Sequence, residues 1–226
     1  MSGARRGRLI AFEGAEGVGK STQLRLLCER LEAAGVPYLG VREPGQTSLG
    51  NEIRRIVLDS DHPIVASAEA LLFMAARAQL VAQDMRPALE AGDVVLADRF
   101  FLSTYAYQAA GRGLPLADVA AANRLATGGL VPDLTLLFDL PEGEGLRRTD
   151  RRGKRDRIER AEDDFHRTVI AAFREFADPA WQEAHPEAGP IVRIDATGSE
   201  ADVAGRVGLV LAGRWPETFA SIVGSH

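Results

Sequence analysis

The 226-residue sequence contains a single cysteine, Cys28, so the chain cannot form an internal disulfide. Because disulfides persist in oxidising compartments, their absence favours a reducing one, and we expect a cytoplasmic protein. Cys28 lies on a stripe with Leu24, Leu27 and Leu31, the i, i+3, i+4, i+7 spacing of a buried helix face. We therefore interpret this cysteine as a small core residue rather than a reactive thiol.

Long apolar runs are also missing, since no stretch approaches the roughly 20 residues that a membrane-spanning helix requires. The net charge of −5 argues against a protein that coats nucleic acid or an anionic membrane. The histidines, at positions 62, 166, 185 and 226, are far apart in sequence, and no cluster has metal-ligand spacing. We therefore expect no nucleic-acid partner, no membrane partner and no histidine-centred catalysis.

What the sequence does contain is a glycine-rich stretch, residues 14–21, that fits the pattern G-x-x-x-x-G-K-[ST]. Its glycines can adopt backbone angles closed to residues with a Cβ, so successive N–H groups can turn inward on an anion. Lys20 then reaches the terminal phosphates, the Ser21 hydroxyl suits Mg²⁺, and the following helix adds its positive end. The residues expected to bind a nucleoside triphosphate here are Gly14, Ala15, Glu16, Gly17, Val18, Gly19, Lys20, Ser21 and Thr22.

Short apolar strands alternate with helical segments along the chain. Strands are predicted at 9–12, 37–42, 94–97, 134–140 and 191–194. Helices are predicted at 22–34, 49–58, 67–91 with a kink or division at Pro87, from 102, at 116–127, at 158–177, and after a capping box at 199–202. This alternation predicts an α/β fold of the P-loop NTPase type, a three-layer sandwich whose five-stranded parallel sheet has helices on both faces. We expect one domain over residues 1–226, with a short arginine-rich lid at about 142–157 and a peripheral tail at about 214–226.

The polar loops that stand out all follow predicted strands. They are the phosphate loop, residues 43–47, the pair Asp98-Arg99, and residues 196–197, of which Ala196 is expected beside the triphosphate-bearing nucleotide. Ligands of parallel α/β sheets gather at the carboxyl ends of the strands. The sequence therefore predicts one active-site edge.

Asp98 and Arg99 suit a phosphoryl-transfer site. The carboxylate could hold magnesium or its waters, and the guanidinium could fork onto a phosphate. A structural salt bridge at the end of a strand is the competing interpretation, and these two residues alone do not decide between them.

Basic residues dominate the segment from 147 to 160. They are Arg147, Arg148, Arg151, Arg152, Lys154, Arg155, Arg157 and Arg160. Such a run is usually a solvated face. Here the neighbouring glycines and the position after the fourth strand favour a lid that closes over polyphosphate, where arginines stabilise the spreading negative charge of phosphoryl transfer. RNA binding is disfavoured because the run lacks interleaved aromatic residues.

Taken in order, these motifs resemble those of the bacterial thymidylate kinases, which phosphorylate dTMP with ATP. The similarity extends from about residue 8 to residue 211. Besides the phosphate loop, it is carried by Arg-Glu-Pro-Gly at 42–45, Phe73 and Arg77 in Leu-Leu-Phe-Met-Ala-Ala-Arg, Asp-Arg-Phe at 98–100, Ser-Thr-Tyr-Ala-Tyr-Gln at 103–108, and Asp-Arg-Ile-Glu at 156–159.

The resemblance implies a dTMP site. Phe73 would stack on thymine and Arg77 would hydrogen-bond its O4 edge, while Thr104 and Gln108 contact the base with Ser103 in support. The remaining implied contacts are Tyr107 near the sugar C2′, Arg99 and Arg54 on the dTMP phosphate, Pro44 in the pocket wall, and Glu16 near the 3′ region of the acceptor.

The resemblance also implies the catalytic set. Some relatives carry an arginine at the position of Gly17, and its absence here resembles the bacterial arrangement in which the lid supplies the charge, with Arg152 as first choice and Arg148 as second. Lys20, Asp98 and Arg99 complete the set, Ser21 and Asp98 would hold Mg²⁺, and a homodimer is implied. Because the second phosphate pKa of dTMP is about 6, the acceptor is already ionised near neutral pH and needs no strong base.

Two departures and two alternatives accompany this interpretation. Gln46 replaces the second glycine expected after Pro44, and Asn51 stands where a glutamate is frequent, which puts the position of residues 46–51 in question. One alternative is a deoxynucleoside kinase, in which Glu43 would act as base on a sugar hydroxyl. The other is a regulatory P-loop NTPase, for which no water-positioning residue is evident.

Overall fold

A computed structural model of the chain describes residues 6–59, 62–141, 143–145, 147–148 and 156–223. Its strands are β1 (Arg8–Glu13), β2 (Tyr38–Arg42), β3 (Val94–Asp98), β4 (Leu134–Asp139) and β5 (Ile191–Asp195). They form one sheet in the order β2-β3-β1-β4-β5, with every pairing parallel. The predicted five-stranded parallel sheet is confirmed.

Helices connect the strands and cover the sheet. They are α1 (Lys20–Ala33), α2 (Ser48–Arg54), α3 (Ala66–Leu80), α4 (Arg86–Ala91), α5 (Phe101–Thr104), α6 (Leu116–Thr127), α7 (Asp163–Phe176), α8 (Pro179–Ala184), α9 (Glu200–Arg214) and α10 (Pro216–Val223). Wider π-helical turns continue α2, α3 and α5 at Arg55–Asp59, Val81–Met85 and Tyr105–Gly111, and a 3₁₀ turn lies at Pro186–Ala188.

Alternate residues of the central strand face two separate cores. Leu9 and Ala11 of β1 belong to a core built with α3 to α7, whereas Ile10 and Phe12 belong to a core built with α1, α9 and α10. Successive side chains of a strand point to opposite faces, so a strand buried on both faces reads as a continuous apolar run. The predicted three-layer sandwich follows directly from that run.

The segment before α7 differs from the prediction, because the helix expected at 158–177 begins only at Asp163. The Asp156 carboxylate accepts hydrogen bonds from the backbone N–H groups of Ile158 and Glu159, both at 2.9 Å. Arg157 is tied to the end of the π turn at Arg55–Asp59, since its backbone N–H donates to Leu58 O at 2.9 Å. Side-chain bonds of this kind compete with helical bonds, which is why the helix starts late.

The expectation of a peripheral tail from residue 214 is wrong. The segment forms α10, whose Phe219 and Ile222 are buried in the core beside α1 and α9. The Arg8 guanidinium at the start of β1 donates to Thr218 Oγ1 at 2.7 Å and pairs with Glu217. Helix α10 is therefore an integral part of one sheet face.

The predicted capping box is confirmed, whereas the long helical stretch is interrupted by the π turn before Pro87 and not at Pro87 itself. Ser199 and Asp202 form the capping box at the start of α9, with Ser199 N–H donating to Asp202 Oδ2 at 2.9 Å. Pro87 lies in the first turn of α4, where the long helical stretch that begins with α3 resumes after its π turn.

Gln46, which stands where the resemblance predicts a glycine, adopts a left-handed φ of 71°. Glycine is the residue that fits this backbone region at least cost. The chain thus keeps the turn that glycine would make, and Thr47 caps α2 just after it by accepting from Gly50 N–H at 2.9 Å.

Candidate active site

The carboxyl ends of the strands border one cavity of about 650 Å³. It lies where the phosphate loop leaves β1, residues 42–44 leave β2, Asp98 and Arg99 leave β3, and Ala196 leaves β5. The sequence-predicted residues that line it are Glu16, Gly17, Val18, Gly19, Lys20, Ser21, Thr22, Pro44, Arg54, Phe73, Arg77, Asp98, Arg99, Ser103, Thr104, Tyr107, Gln108, Arg148 and Ala196.

Two of the predicted residues that the structure describes do not line this cavity. Gly14 and Ala15 lie behind it, where their carbonyl groups accept from Lys20 Nζ at 2.9 and 2.6 Å. Arg152, the first choice for the catalytic lid arginine, lies outside the described residues. Its role stays a prediction.

The phosphate loop has the backbone that its glycines predict. Gly17 and Gly19 take left-handed φ values of 73° and 93°. A Cβ on Gly17 would approach the carbonyl oxygen of Gly145 to 2.0 Å, so only glycine allows the loop to lie this close to residues 143–145. The loop and the base of the predicted lid are therefore in direct contact.

Lys20 is buried at the start of α1. Burial, reinforced by the charge of Arg99, lowers the pKa of the Lys20 ammonium from its ordinary value to about 7. The neighbouring carboxylates of Asp98, Glu16 and Glu13 act in the opposite direction but are outweighed. An anion bound in the cavity would therefore raise the pKa of Lys20 and favour its charged form.

Ser21 and Asp98 lie side by side, and the Ser21 hydroxyl donates a hydrogen bond to Asp98 Oδ2. A hydroxyl and a carboxylate are oxygen donors of the kind that Mg²⁺ prefers. Among the described residues, no group of three or more His, Cys, Asp or Glu side chains could hold a metal ion. The Ser21 and Asp98 oxygens could contribute to a magnesium site.

Arg99 is held in the middle of the cavity wall in a left-handed conformation, with φ of 72°. Its guanidinium donates to Gly14 O at 3.2 Å, to Ser103 Oγ at 3.1 Å and to Glu16 Oε1 at 3.3 Å. It also lies 4.9 Å from the centre of the Tyr107 ring. These contacts orient the guanidinium beside the phosphate loop.

Glu16 is buried beside Arg99 and accepts a hydrogen bond from the Tyr107 hydroxyl. Burial alone would raise the pKa of the Glu16 carboxyl, but the charges of Arg99 and Lys20 outweigh it and lower the pKa. His166 of α7 approaches from behind, with Nδ1 3.9 Å from Glu16 Oε2. Among the described residues, neither ring nitrogen of His166 has a hydrogen-bond partner. The sequence analysis missed this buried histidine.

Glu13 fixes the segment after β3 and was also missed. Its carboxylate accepts from the backbone N–H groups of Phe100 and Ser103 at 2.8 and 3.1 Å, and from the Ser103 hydroxyl at 2.6 Å. An acidic residue directly after the apolar run of residues 9–12 is a sequence signal that could have indicated it, because a buried acid needs polar partners.

Arg77 is almost fully buried, and all three of its guanidinium nitrogens donate hydrogen bonds to protein groups. Nε and Nη2 face Glu43 Oε2 at 2.7 and 2.5 Å. Nη2 also donates to Phe100 O at 2.7 Å, and Nη1 donates to Thr104 Oγ1 at 2.8 Å and to Asn123 Oδ1. These contacts match the five N–H donors of a guanidinium. A direct bond from Arg77 to thymine O4 would therefore require one of them to be exchanged.

Gln108 is oriented by a residue that the sequence analysis did not identify. Its amide Nε2 donates to Glu69 Oε1 at 2.9 Å. Glu69 is itself buried and pairs with Arg112 and Arg157, at 3.2 and 2.5 Å. The base-contacting residue predicted on α5 and its π turn is thus tied to α3.

Two predicted arginines at the margins of the cavity each have one hydrogen-bond or ion-pair partner among the described residues. Arg54 Nη1 donates to Pro44 O at 2.9 Å, which places both residues of the predicted phosphate-side wall in contact. Arg148 pairs with Glu144 at 2.5 Å and remains partly exposed. Both guanidiniums retain N–H groups that can meet an anion.

The side of the cavity near Ala196 contains residues that the sequence analysis missed. Gln23 of α1 is buried and its Nε2 donates to Glu200 O at 2.9 Å, which joins α1 to the start of α9. Gly198, Ser199 and Val203 complete this wall.

A phosphate loop at one end of a shared cavity, and a wall of arginine and aromatic side chains at the other, define the class of protein: a P-loop kinase that acts on two phosphate-bearing nucleotides. The sequence profile of the thymidylate kinase family matches residues 12–203. The chain therefore belongs to the thymidylate kinase family.

Individual relatives agree. The chain is 48% identical over 207 residues to a thymidylate kinase of Synechococcus sp. (strain JA-2-3B'a(2-13)), covering 92% of this chain and 95% of the relative. It is 46% identical to a thymidylate kinase of Deinococcus radiodurans, covering 87% and 92%. A crystal structure of thymidylate kinase from Ehrlichia chaffeensis superposes with a TM-score of 0.71 at 27% identity, covering 91% of this chain and 98% of that one.

Membership of this family confirms the predicted activity: the chain is an ATP-dependent phosphotransferase that acts on a nucleoside monophosphate, with ATP and dTMP as its substrates. None of the helices in the described ranges is long and apolar enough to cross a membrane.

Proposed function

We propose that the cavity seats ATP and dTMP end to end and passes the γ-phosphoryl group from one to the other, giving ADP and dTDP. The observation that carries this proposal is the position of Arg99. Its guanidinium lies between the phosphate loop, through Gly14 and Glu16, and the acceptor wall, through Ser103 and Tyr107. A cation at that junction suits two phosphate chains whose ends meet.

At the donor end, residues 16–22 bind the ATP phosphates through backbone N–H groups, Gly14 and Ala15 hold Lys20 through their carbonyl groups, and Ala196 borders the adenosine. Lys20 carries the charge that the terminal phosphates require, and those phosphates in turn stabilise its protonated form. Helix α1 points its positive end at the same place, because it begins at Lys20.

Ser21 and Asp98 are the residues that would hold Mg²⁺, directly or through water. Their adjacent hydroxyl and carboxylate oxygens fit the hard-oxygen preference and small number of protein ligands that Mg²⁺ accepts in kinases. When bound, the ion supplies neutralisation of charge on the β- and γ-phosphates.

At the acceptor end, Phe73 stacks on thymine, Arg77 supports its O4 edge together with Thr104, and Gln108 meets the base beside Ser103. Tyr107 closes the space near the sugar C2′, and Glu16 borders the 3′ region. Arg54 and Arg99 hold the dTMP phosphate, with Pro44 as wall. The common cavity that these residues line supports this assignment.

Transfer itself needs positioning and charge neutralisation rather than a base, because the attacking oxygen of dTMP is already ionised near neutral pH. Lys20 and Arg99 neutralise charge from the two sides of the phosphate junction. Arg148 and Arg152 add positive charge from the lid, which stabilises the negative charge that develops in the transition state. Asp98 contributes through magnesium.

The environment of Glu43 bears on the alternative in which the acceptor is a sugar hydroxyl. A general base must be free to take a proton from the substrate. One carboxylate oxygen of Glu43 is bound by Arg77 through two nitrogens, and the whole group is buried. The other oxygen, Oε1, has no hydrogen-bond partner among the described residues. Glu43 therefore anchors Arg77, and the assay with thymidine decides whether it also acts as a base.

We also infer a homodimer. Helix α3 packs against both α2 and α6, and these helices carry large apolar side chains that remain exposed, among them Leu71 and Leu125 at 63% and 85% exposure. Exposed apolar side chains on neighbouring helices suit an interface with a second copy. One chain has a mass of 24.3 kDa, and light scattering should give twice this value. Leu71→Glu should lower the measured mass towards that of one chain. A monomeric wild type would refute the inference.

The deciding experiment measures ADP release from ATP with a panel of nucleoside monophosphates and with thymidine. We expect dTMP to stimulate release strongly, with dTDP as product, and thymidine to have no effect. Stimulation by thymidine alone would establish the deoxynucleoside kinase, and ADP release that no acceptor stimulates would establish the regulatory NTPase.

A further inference from the structure

The Gln108 side chain can face the base in only one orientation. An amide group offers an N–H₂ donor on one side and a carbonyl acceptor on the other, and neighbours decide which is where. Here Nε2 donates to Glu69 Oε1 at 2.9 Å. Within the part of the chain that the structure describes, no hydrogen bond to the Gln108 amide oxygen is found. That oxygen is the one acceptor of the side chain, and it is available to a ligand in the cavity that Gln108 lines.

Glu69 imposes this orientation because it is ionised and immobile. It is 1% exposed, and its two oxygens accept from Arg112 Nε at 3.2 Å, Arg112 Nη2 at 3.3 Å and Arg157 Nη2 at 2.5 Å. Burial would raise the pKa of Glu69, but the hydrogen bonds from Gln108, Arg157 and Arg112 lower it. A carboxylate has no proton to donate, so the Gln108 amide cannot turn its oxygen towards Glu69.

The acceptor that Gln108 presents distinguishes the pyrimidines. Thymine and uracil carry an N–H donor at N3 between two carbonyl acceptors, whereas cytosine carries an acceptor at N3 and an amino donor at C4. The Gln108 oxygen can accept from the N3–H of thymine or uracil but faces a lone pair on cytosine. Next to it, the Thr104 oxygen accepts from Arg77 at 2.8 Å, and the Thr104 hydroxyl can turn its proton towards O4.

We propose that Glu69 is a positioning residue that selects thymine and uracil over cytosine by fixing the Gln108 amide with its oxygen towards the base. Glu69 does not touch the substrate and acts through Gln108 alone. The proposal rests on the proposed acceptor site, in which Gln108 meets the base.

The test compares kcat/KM for dTMP, dUMP and dCMP in wild type and Glu69→Gln. In the variant, residue 69 can donate as well as accept, so the Gln108 amide is free to turn. We expect kcat/KM for dTMP and dUMP to fall by the same factor, roughly tenfold or more, because both bases share N3–H and O4. For dCMP it should fall less or rise, and if dCMP turnover is too slow, its Ki against dTMP gives the same comparison.

Two variants separate positioning from general loosening of the pocket. Arg112→Gln removes another partner of Glu69 but leaves the bond to Gln108, so the dTMP-to-dCMP ratio should stay at its wild-type value. In a Gln108→Leu background, Glu69→Gln should change that ratio no further, since residues that act as one unit are not additive. If Glu69→Gln does not fold, Glu69→Gln/Arg112→Gln balances the buried charge and carries the same comparison.

An equal fall for dTMP, dUMP and dCMP in Glu69→Gln would overturn the proposal, because it would mark a purely structural role. So would an unchanged dTMP-to-dCMP ratio. Failure of the proposed function looks different: wild type itself would then not phosphorylate dTMP, or Gln108→Leu would leave the ratio unaltered.

Discussion

Arg77 and Glu43 form a buried salt bridge in the cavity wall, with 2.5 Å between Arg77 Nη2 and Glu43 Oε2. Arg77→Met leaves the carboxylate without its cation, and breaking a buried pair from one side costs about 3 kcal/mol or more. We expect the free energy of unfolding in urea to fall by about that amount and KM for dTMP to rise.

The matched control removes both charges. Arg77→Met/Glu43→Met should regain most of the lost stability but not the affinity for dTMP, because the guanidinium that orders Thr104 is still absent. Equal instability of the single and double variants would show that the salt bridge is not the source of the loss.

Lys20 should take up a proton when nucleotide binds. Its pKa of about 7 leaves the amine largely neutral at pH 8, and a phosphate anion beside it favours the charged form. Titration calorimetry with ADP at pH 8, in two buffers of different ionisation enthalpy, should report uptake approaching one proton. Lys20→Met should show no such uptake, and an uptake retained in that variant would assign the proton to another group.

The same pKa predicts how stability changes with pH. Because the pKa of Lys20 is lower in the folded protein, about 7 against 10.5, the unfolded chain binds more protons between these values. The free energy of unfolding should therefore gain a rising contribution from pH 7 to about 10, with the full penalty for burying the charged amine below pH 7. Chemical denaturation of wild type and Lys20→Met across this range isolates the contribution, which should vanish in the variant.

Ser21 and Asp98 should set the requirement for magnesium. Asp98→Asn keeps the hydrogen bond from Ser21 possible but removes the charge, so the Mg²⁺ concentration for half-maximal activity should rise about tenfold, by analogy with other weakened oxygen ligands. Ser21→Ala should act in the same direction, and the two changes should not be additive. A lower kcat at an unchanged Mg²⁺ requirement would place Asp98 outside the metal site.

Arg99 combines a functional side chain with an unfavourable backbone, since its φ is 72°. A residue with a Cβ in this region costs about 1 kcal/mol relative to glycine. We expect Arg99→Gly and Arg99→Ala to lose phosphoryl transfer equally, whereas thermal unfolding should find Arg99→Gly more stable than Arg99→Ala by about 1 kcal/mol. Equal stability would show that the left-handed backbone is not strained.

The lid arginines should act on turnover. Arg148 lines the cavity, whereas its neighbour Arg147 is exposed and does not line it. Arg148→Ala and Arg152→Ala should therefore lower kcat, by on the order of a hundredfold for the dominant one, with a smaller effect on KM for dTMP. Arg147→Ala is the control of equal charge and should stay close to wild type. A raised KM for dTMP at unchanged kcat would make these arginines binding residues instead.

The phosphate loop and the sheet were predictable because each is encoded in contiguous residues. The spacing of residues 14–21 and the apolar runs of the strands fix local geometry and layer order without reference to distant parts of the chain. The acceptor residues came from resemblance to a family and not from composition or periodicity. Phe73 and Arg77, for example, would otherwise look like a core residue and a surface residue.

The partners of those residues could not be predicted. Gln108 meets Glu69 and Arg77 meets Asn123 across 39 and 46 residues of chain, and a single sequence contains no signal that joins such pairs. The sequence likewise contains no pattern that predicts the π turn at Tyr105–Gly111, although this turn positions Tyr107 and Gln108. The late start of α7 was missed because a side chain, that of Asp156, competes for backbone N–H groups.

The contact of Arg8 with Thr218 and Glu217 brings the first and last parts of the described chain together, at the end of the sheet where the strands begin. Nucleotides are expected at the opposite end, where the strands finish, about 17 Å away along the six residues of β1. A fluorophore or an immobilising anchor attached near either extremity would consequently leave the catalytic opening turned towards solution. Single-molecule or surface-based assays of turnover could use either attachment point.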